Sequence, residues 1–113
     1  LLNLALNYGG RDDIGRAVRM IAASVKAGDL LPDNIDESLI STKTYTAGVP
    51  DPDLIIRTSG ELRLSNFLIW QAAYAEYFFT DVLWPDFNKE NLYEALVEYQ
   101  QDLRKFNFLF CYK

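Results

Sequence analysis

The chain has 113 residues, half of them hydrophobic and 14% aromatic, with a formal net charge of −5. That composition excludes a disordered chain, and a domain of this length buries roughly two-thirds of its unfolded surface. The acidic balance argues against non-specific nucleic-acid binding, which needs basic surface. There is no histidine, so histidine bases, triads and metal ligands are excluded within the chain, and one cysteine allows no intrachain disulfide. A lone cysteine agrees with a reducing compartment. No apolar run approaches the roughly 20 residues that span a bilayer.

Leu1, Leu2, Leu4, Ala5 and Leu6 form a near-continuous apolar run, which predicts a buried strand over residues 1–8. The chain opens on leucine inside that run, so it reads as part of a longer protein. Gly9 and Gly10 break the strand. Asp12 and Asp13 suit the positive end of a helix whose apolar stripe is Ile14, Val18, Ile21 and Val25, with Gly28 as its stop. The polar stretch 32–46 predicts a short helix around Asp36 to Ile40, and 47–52 is a connector rich in Gly and Pro.

Leu54, Ile55 and Ile56 predict a short strand apolar on both faces, as in a parallel sheet. Ser65 or Asn66 is expected to cap a helix running to about Ala75. Tyr77, Phe78 and Phe79 predict a further strand, and Trp84 to Phe87 a rigid connector. Asp86 or Asn88 is expected to cap a final helix with Leu92, Leu96, Tyr99 and Leu103 on one face. Strands alternating with helices define an α/β class, a parallel sheet flanked by helices.

Arg57 stands at the carboxyl end of its predicted strand, where ligands of open parallel sheets bind. Arg63 and Ser65 follow on the same loop. Two guanidiniums and a helix N-terminus suit a phosphate or diphosphate. The plainer alternative is that both arginines are solvated or paired with Asp53 and Glu61. Gly9 and Gly10 match neither dinucleotide nor P-loop fingerprints, and a tight turn with φ > 0 explains them better than an anion nest. Glu76 lies among Ala73, Tyr74, Ala75, Tyr77 and Phe78. A carboxylate there is costly unless paired or metal-bound, though a rim position at a helix end remains the simpler account. Eleven residues of straight helix would hold it about 16 Å from Ser65. The aromatic group of Phe67, Trp70, Tyr74, Tyr77, Phe78, Phe79, Trp84 and Phe87 is expected to be mainly core rather than a pocket or subunit interface.

Four segments together resemble the cis-prenyltransferases: Asn7-Tyr8-Gly9-Gly10-Arg11; Asp51 through Phe67; Trp70-Gln71 with Ala73-Tyr74-Ala75-Glu76; and Trp84-Pro85-Asp86-Phe87. The likeness is strongest to the undecaprenyl diphosphate synthases and runs from about Leu1 to Gln101. It implies the C-terminal half of that fold, with residues 1–105 part of one domain and 106–113 an atypical tail. It implies repeated condensation of isopentenyl diphosphate with an allylic diphosphate to give a long cis-polyprenyl diphosphate. By the family pattern, Arg57, Arg63, Leu64 and Ser65 bind isopentenyl diphosphate and Glu76 binds Mg2+. Further implications are a homodimer, a cytoplasmic location peripheral to the membrane that receives the product, and no nucleic-acid partner.

Two departures stand out. The family's H-G-x-x-G-N-type motif and its magnesium-binding aspartate have no counterpart here, so the chain alone is expected to be inactive. The apolar ending from Gln101 to Lys113 also differs from the family's arginine-rich, glycine-containing tail. A rival reading is a non-catalytic partner subunit of a cis-prenyltransferase complex, against which the joint retention of Arg57, Arg63, Ser65 and Glu76 weighs.

Overall fold

The computed structural model describes residues 2–110, with side chains described to residue 101. Within it the chain forms two compact units. Residues 1–51 and 64–73 make the first, and residues 52–63 and 74–113 the second.

The first unit is built on α1 (Gly10–Ala27), closed by Gly28 in the left-handed conformation at φ 83°. Its buried stripe is Gly10, Asp13, Ala17 and Ile21, so the inward face is one step round from the expected one. Val18 is exposed. The small side chain of Ala17 is what permits close packing, whereas the apolar periodicity weighted the larger valine. A turn of 3-10 helix at Pro32–Asn34 leads to α2 (Glu37–Ser41), which contacts α1. Asp36 caps α2 by accepting the Leu39 N–H at 2.7 Å, as the polar stretch implied.

Two expectations fail in this unit. Residues 2–6 are not a strand, and Leu2, Leu4 and Leu6 are exposed. An apolar run carries strand propensity, but a strand exists only where a ladder pairs it. Nor do residues 65–75 form a helix. They make successive turns, because Ser65, Asn66 and Leu68 take positive φ values of 50°, 64° and 46°. Left-handed residues cannot continue a right-handed helix, and isolated bonds such as Phe67 N–H to Leu64 O (3.1 Å) and Ala72 N–H to Leu68 O (2.8 Å) close single turns. The 16 Å separation derived from a straight helix therefore lapses.

The second unit holds a two-stranded parallel sheet, β1 (Leu54–Arg57) beside β2 (Glu76–Phe79). Both strands lie where the apolar and aromatic runs predict them, and the parallel α/β class holds. A 3-10 turn at Trp84–Asp86, stiffened by Pro85 and by stacking of Trp84 on Phe87 at 5.5 Å, leads to α3 (Lys89–Phe110). Asn88 caps α3. Its Oδ1 accepts the N–H groups of Glu90 and Asn91, and the Asn91 side chain accepts the Asn88 N–H in return. The helix packs on β2 with Ala95 fully buried, while Leu92 and Leu96 remain exposed. Leu103 lies outside the residues with described side chains.

Of the eight aromatics, only Phe78 is buried, and Tyr74 is 93% exposed. The expectation of an aromatic core therefore fails. Alternation along β2 puts Phe78 on one face and Tyr77 with Phe79 on the other, where those two rings stack at 5.9 Å.

Candidate functional site

In the second unit, Arg57 ends β1 and is half-buried, with its Nε fully covered. The carboxyl end of the strand is pinned beyond the ladder. Arg57 O accepts the Thr80 N–H at 2.9 Å, the Ser59 N–H reaches Val82 O at 3.0 Å, and the Gly60 N–H reaches Thr80 O at 2.9 Å. Gly60 has φ 67°, and a Cβ there would lie 2.7 Å from Asp81 Oδ1, so this turn admits only glycine without strain. Arg63 follows on an exposed stretch and pairs with Glu61 at 2.7 Å, its side chain 72% exposed. The plainer alternative thus holds in part. Yet an ion pair this exposed contributes little, and it leaves the guanidinium open to an anion carrying more charge.

Glu76 opens β2. Its N–H is bound by Asp53 O at 2.9 Å and its side chain is half-buried. The register pairs Leu54 with Glu76 and Arg57 with Phe79. Arg57 and Glu76 therefore sit three register steps apart, about 10 Å along the strands, at opposite ends and on opposite faces of the sheet. Among the described residues no cluster of three metal-ligating side chains occurs. One carboxylate nevertheless fits magnesium, which takes one or two protein oxygens and completes its shell with phosphate and water.

In the first unit, Leu64 is half-buried and Ser65 exposed, on the left-handed turn described above. The predicted helix N-terminus is absent there, so no helix dipole from residues 65–75 assists anion binding. Asn66 caps a different helix, α1. Its Oδ1 accepts the Arg11 N–H at 2.9 Å and its carbonyl accepts the Gly10 N–H at 2.7 Å. This also accounts for the glycine pair, whose Gly10 N–H is taken by Asn66 and which makes no positive-φ turn. Gly9 is extended at φ −143°, and the positive φ of that segment belongs to Asn7.

Beside this turn lies a buried network that residue patterns missed. Asp13, 1% exposed, accepts the Tyr45 N–H at 2.7 Å on Oδ1, and the Tyr8 hydroxyl (3.0 Å) and Gln71 Nε2 (3.1 Å) on Oδ2. Gln71 also donates to Thr46 Oγ1 at 2.8 Å. Burial pushes the Tyr8 hydroxyl up to about 12, helped by its hydrogen bond to Asp13 and that carboxylate's charge, with Gln71 acting in the opposite direction. The signal for Asp13 was in the spacing, since it precedes Ala17 and Ile21 at intervals of four on the buried stripe.

A two-stranded parallel sheet with a helix against it places the second unit in the α/β class. Sequence comparison is more specific. Residues 1–107 match the prenyltransferase family model described as "Putative undecaprenyl diphosphate synthase". The isoprenyl transferases of Geobacillus kaustophilus and Bacillus subtilis are each 56% identical over 106 residues, covering 94% of this chain and 41% of theirs. The crystal structure of lavandulyl diphosphate synthase from Lavandula x intermedia, in complex with dimethylallyl diphosphate, superposes with a TM-score of 0.81 at 49% identity. That match covers 85% of this chain and 42% of the synthase. The chain belongs to this prenyltransferase family and spans about two-fifths of the length of these relatives.

Proposed function

We propose that this chain carries the isopentenyl diphosphate-binding part of a cis-prenyltransferase that elongates an allylic diphosphate into a long polyprenyl diphosphate. The observation that carries the reading is Arg57, held at the carboxyl end of a parallel strand by a pinned glycine turn, the position at which α/β sheets take their ligands. Arg57 and Arg63 bind phosphoryl oxygens through paired, charge-assisted hydrogen bonds. Leu64 and Ser65 complete the segment, with the Ser65 hydroxyl as a further donor.

Glu76 is the residue that would hold Mg2+, which when bound offsets negative charge on the diphosphates. Its place on the far face of the sheet from Arg57 favours a homodimer, in which Glu76 of one copy serves the arginines of another. On this reading the enzyme is cytoplasmic and delivers its product at the membrane surface. Among the described residues no helix is long and apolar enough to cross a membrane. Residues 1–105 are part of one prenyltransferase domain, with 106–113 a tail. The chain alone binds isopentenyl diphosphate without elongating, because nothing in it matches the family's H-G-x-x-G-N-type motif.

Calorimetric titration with isopentenyl diphosphate tests the site. Arg57→Ala and Arg63→Ala should each weaken binding by about 1.5–3 kcal/mol, the usual loss for a charged hydrogen bond. Unchanged affinity in both variants would refute the assignment.

A further inference from the structure

Helix α1 begins without a cap of its own, because Gly9 at the N-cap position offers no side chain. The cap arrives from 55 residues away, where Asn66 takes the Arg11 N–H on its side chain and the Gly10 N–H on its carbonyl. The approach leaves no room for larger residues. A Cβ on Gly9 would lie 2.9 Å from Asn66 Nδ2, and one on Gly10 would lie 3.2 Å from Asn66 O and 3.0 Å from Ile69 N.

Asn66 and Ser65 are both left-handed, at φ 64° and 50°. Side-chain-bearing residues avoid that region, and two in succession persist only where their surroundings impose it. Here the Phe67 N–H to Leu64 O bond closes the turn, and the two hydrogen bonds that Asn66 accepts from the start of α1 anchor it. We propose that Asn66 is a positioning residue: by clamping onto Gly10 and Arg11 it holds the Ser65–Asn66 turn left-handed, and so sets the direction of the Ser65 hydroxyl toward a diphosphate. This rests on the reading of Ser65 as a diphosphate ligand. Asn66 itself touches no ligand; it acts through its neighbour. Aspartate at this position keeps the accepting oxygen and tolerates a left-handed backbone, whereas alanine has neither property.

The test titrates the chain with isopentenyl diphosphate by calorimetry and records a melting curve for each variant. Asn66→Ala should lower affinity about tenfold, the scale of one lost hydrogen bond to a charged group. Asn66→Asp, at an unchanged melting temperature, should restore affinity to within about threefold of the parent. A purely structural role would tie affinity to melting temperature and give no such separation, and that result overturns the proposal. Should Asn66→Ala fail to fold, Gly9→Ala, which pushes on Nδ2, is judged by the same loss of affinity. Arg57→Ala separates the two levels of the argument. If it weakens binding while the Asn66 and Gly9 variants do not, the positioning role alone falls. If no variant changes affinity, or the parent does not bind, the diphosphate reading falls and takes this inference with it.

Discussion

The two units use polar residues in opposite ways. In the first, Asp13, Gln71, Tyr8 and Thr46 face one another under cover, and each hydrogen bond is answered from within. In the second, Arg63 and Glu61 pair with each other on open chain, and Arg57 stands half-covered at a strand end. Tyr8 and Gln71 of the first region, and Arg57, Glu61 and Arg63 of the second, fall in the segments that mark the family. Burial tells them apart: the polar groups of the first are enclosed with their partners and serve the fold, while those of the second lie at or near a strand end, where the proposed ligand would bind.

The contrast is broken most severely at Asp13. Asp13→Ala removes the acceptor of three donors, the buried Gln71 amide and the part-buried Tyr8 hydroxyl and Tyr45 N–H, and should destabilise the chain by about 2–3 kcal/mol in urea unfolding. Gly10→Ala forces a methyl group to 2.9 Å from Ile69 Cγ1 and 3.0 Å from a backbone nitrogen. It should cost about 1–3 kcal/mol by the same measurement, the usual range for overpacking.

A pH titration sharpens the comparison further. The folded state raises the Tyr8 hydroxyl from 10.0 to about 12, so folding favours its neutral form. The stabilisation it gives is complete below pH 10 and is lost as pH rises through 12. Melting temperature should fall across that window, and Tyr8→Phe should remove that component of the fall. Smallest of all is Glu61→Gln, which should change stability by less than about 0.5 kcal/mol, since the pair is solvent-screened. A large loss there would mean that the second unit, too, depends on its polar contacts.

Much of the fold was legible. Gly28, Asp36 and Asn88 mark helix ends through local chemistry, and the apolar runs at 54–56 and 77–79 mark both strands. Two segments were not. Residues 1–8 have the composition of a strand, but a ladder is a property of neighbours and not of the run itself. Residues 65–75 have helical spacing and good caps, yet Asn66 bonds to α1, a tertiary choice that local propensity does not encode. The arginine segment was legible as an anion site because its chemistry lies in contiguous residues. Asn66 was misassigned, and the buried network of Asp13 missed, because each satisfies a helix rule while taking part in a longer-range contact.

The clamp between Asn66 and the start of α1 also bears on the order of events during folding. The left-handed turn at Ser65 is closed locally by the Phe67 N–H to Leu64 O bond, but its anchorage to α1 comes from partners 55 positions back along the chain. Closing such a loop is entropically costly and slow compared with forming a helix or a single turn. The Ser65 geometry is therefore fully held only after α1 is formed and docked, and it loosens when that docking is lost. Competence to hold a diphosphate through Ser65 is thus a late arrival in folding, and an early casualty of any partial unfolding that loosens α1.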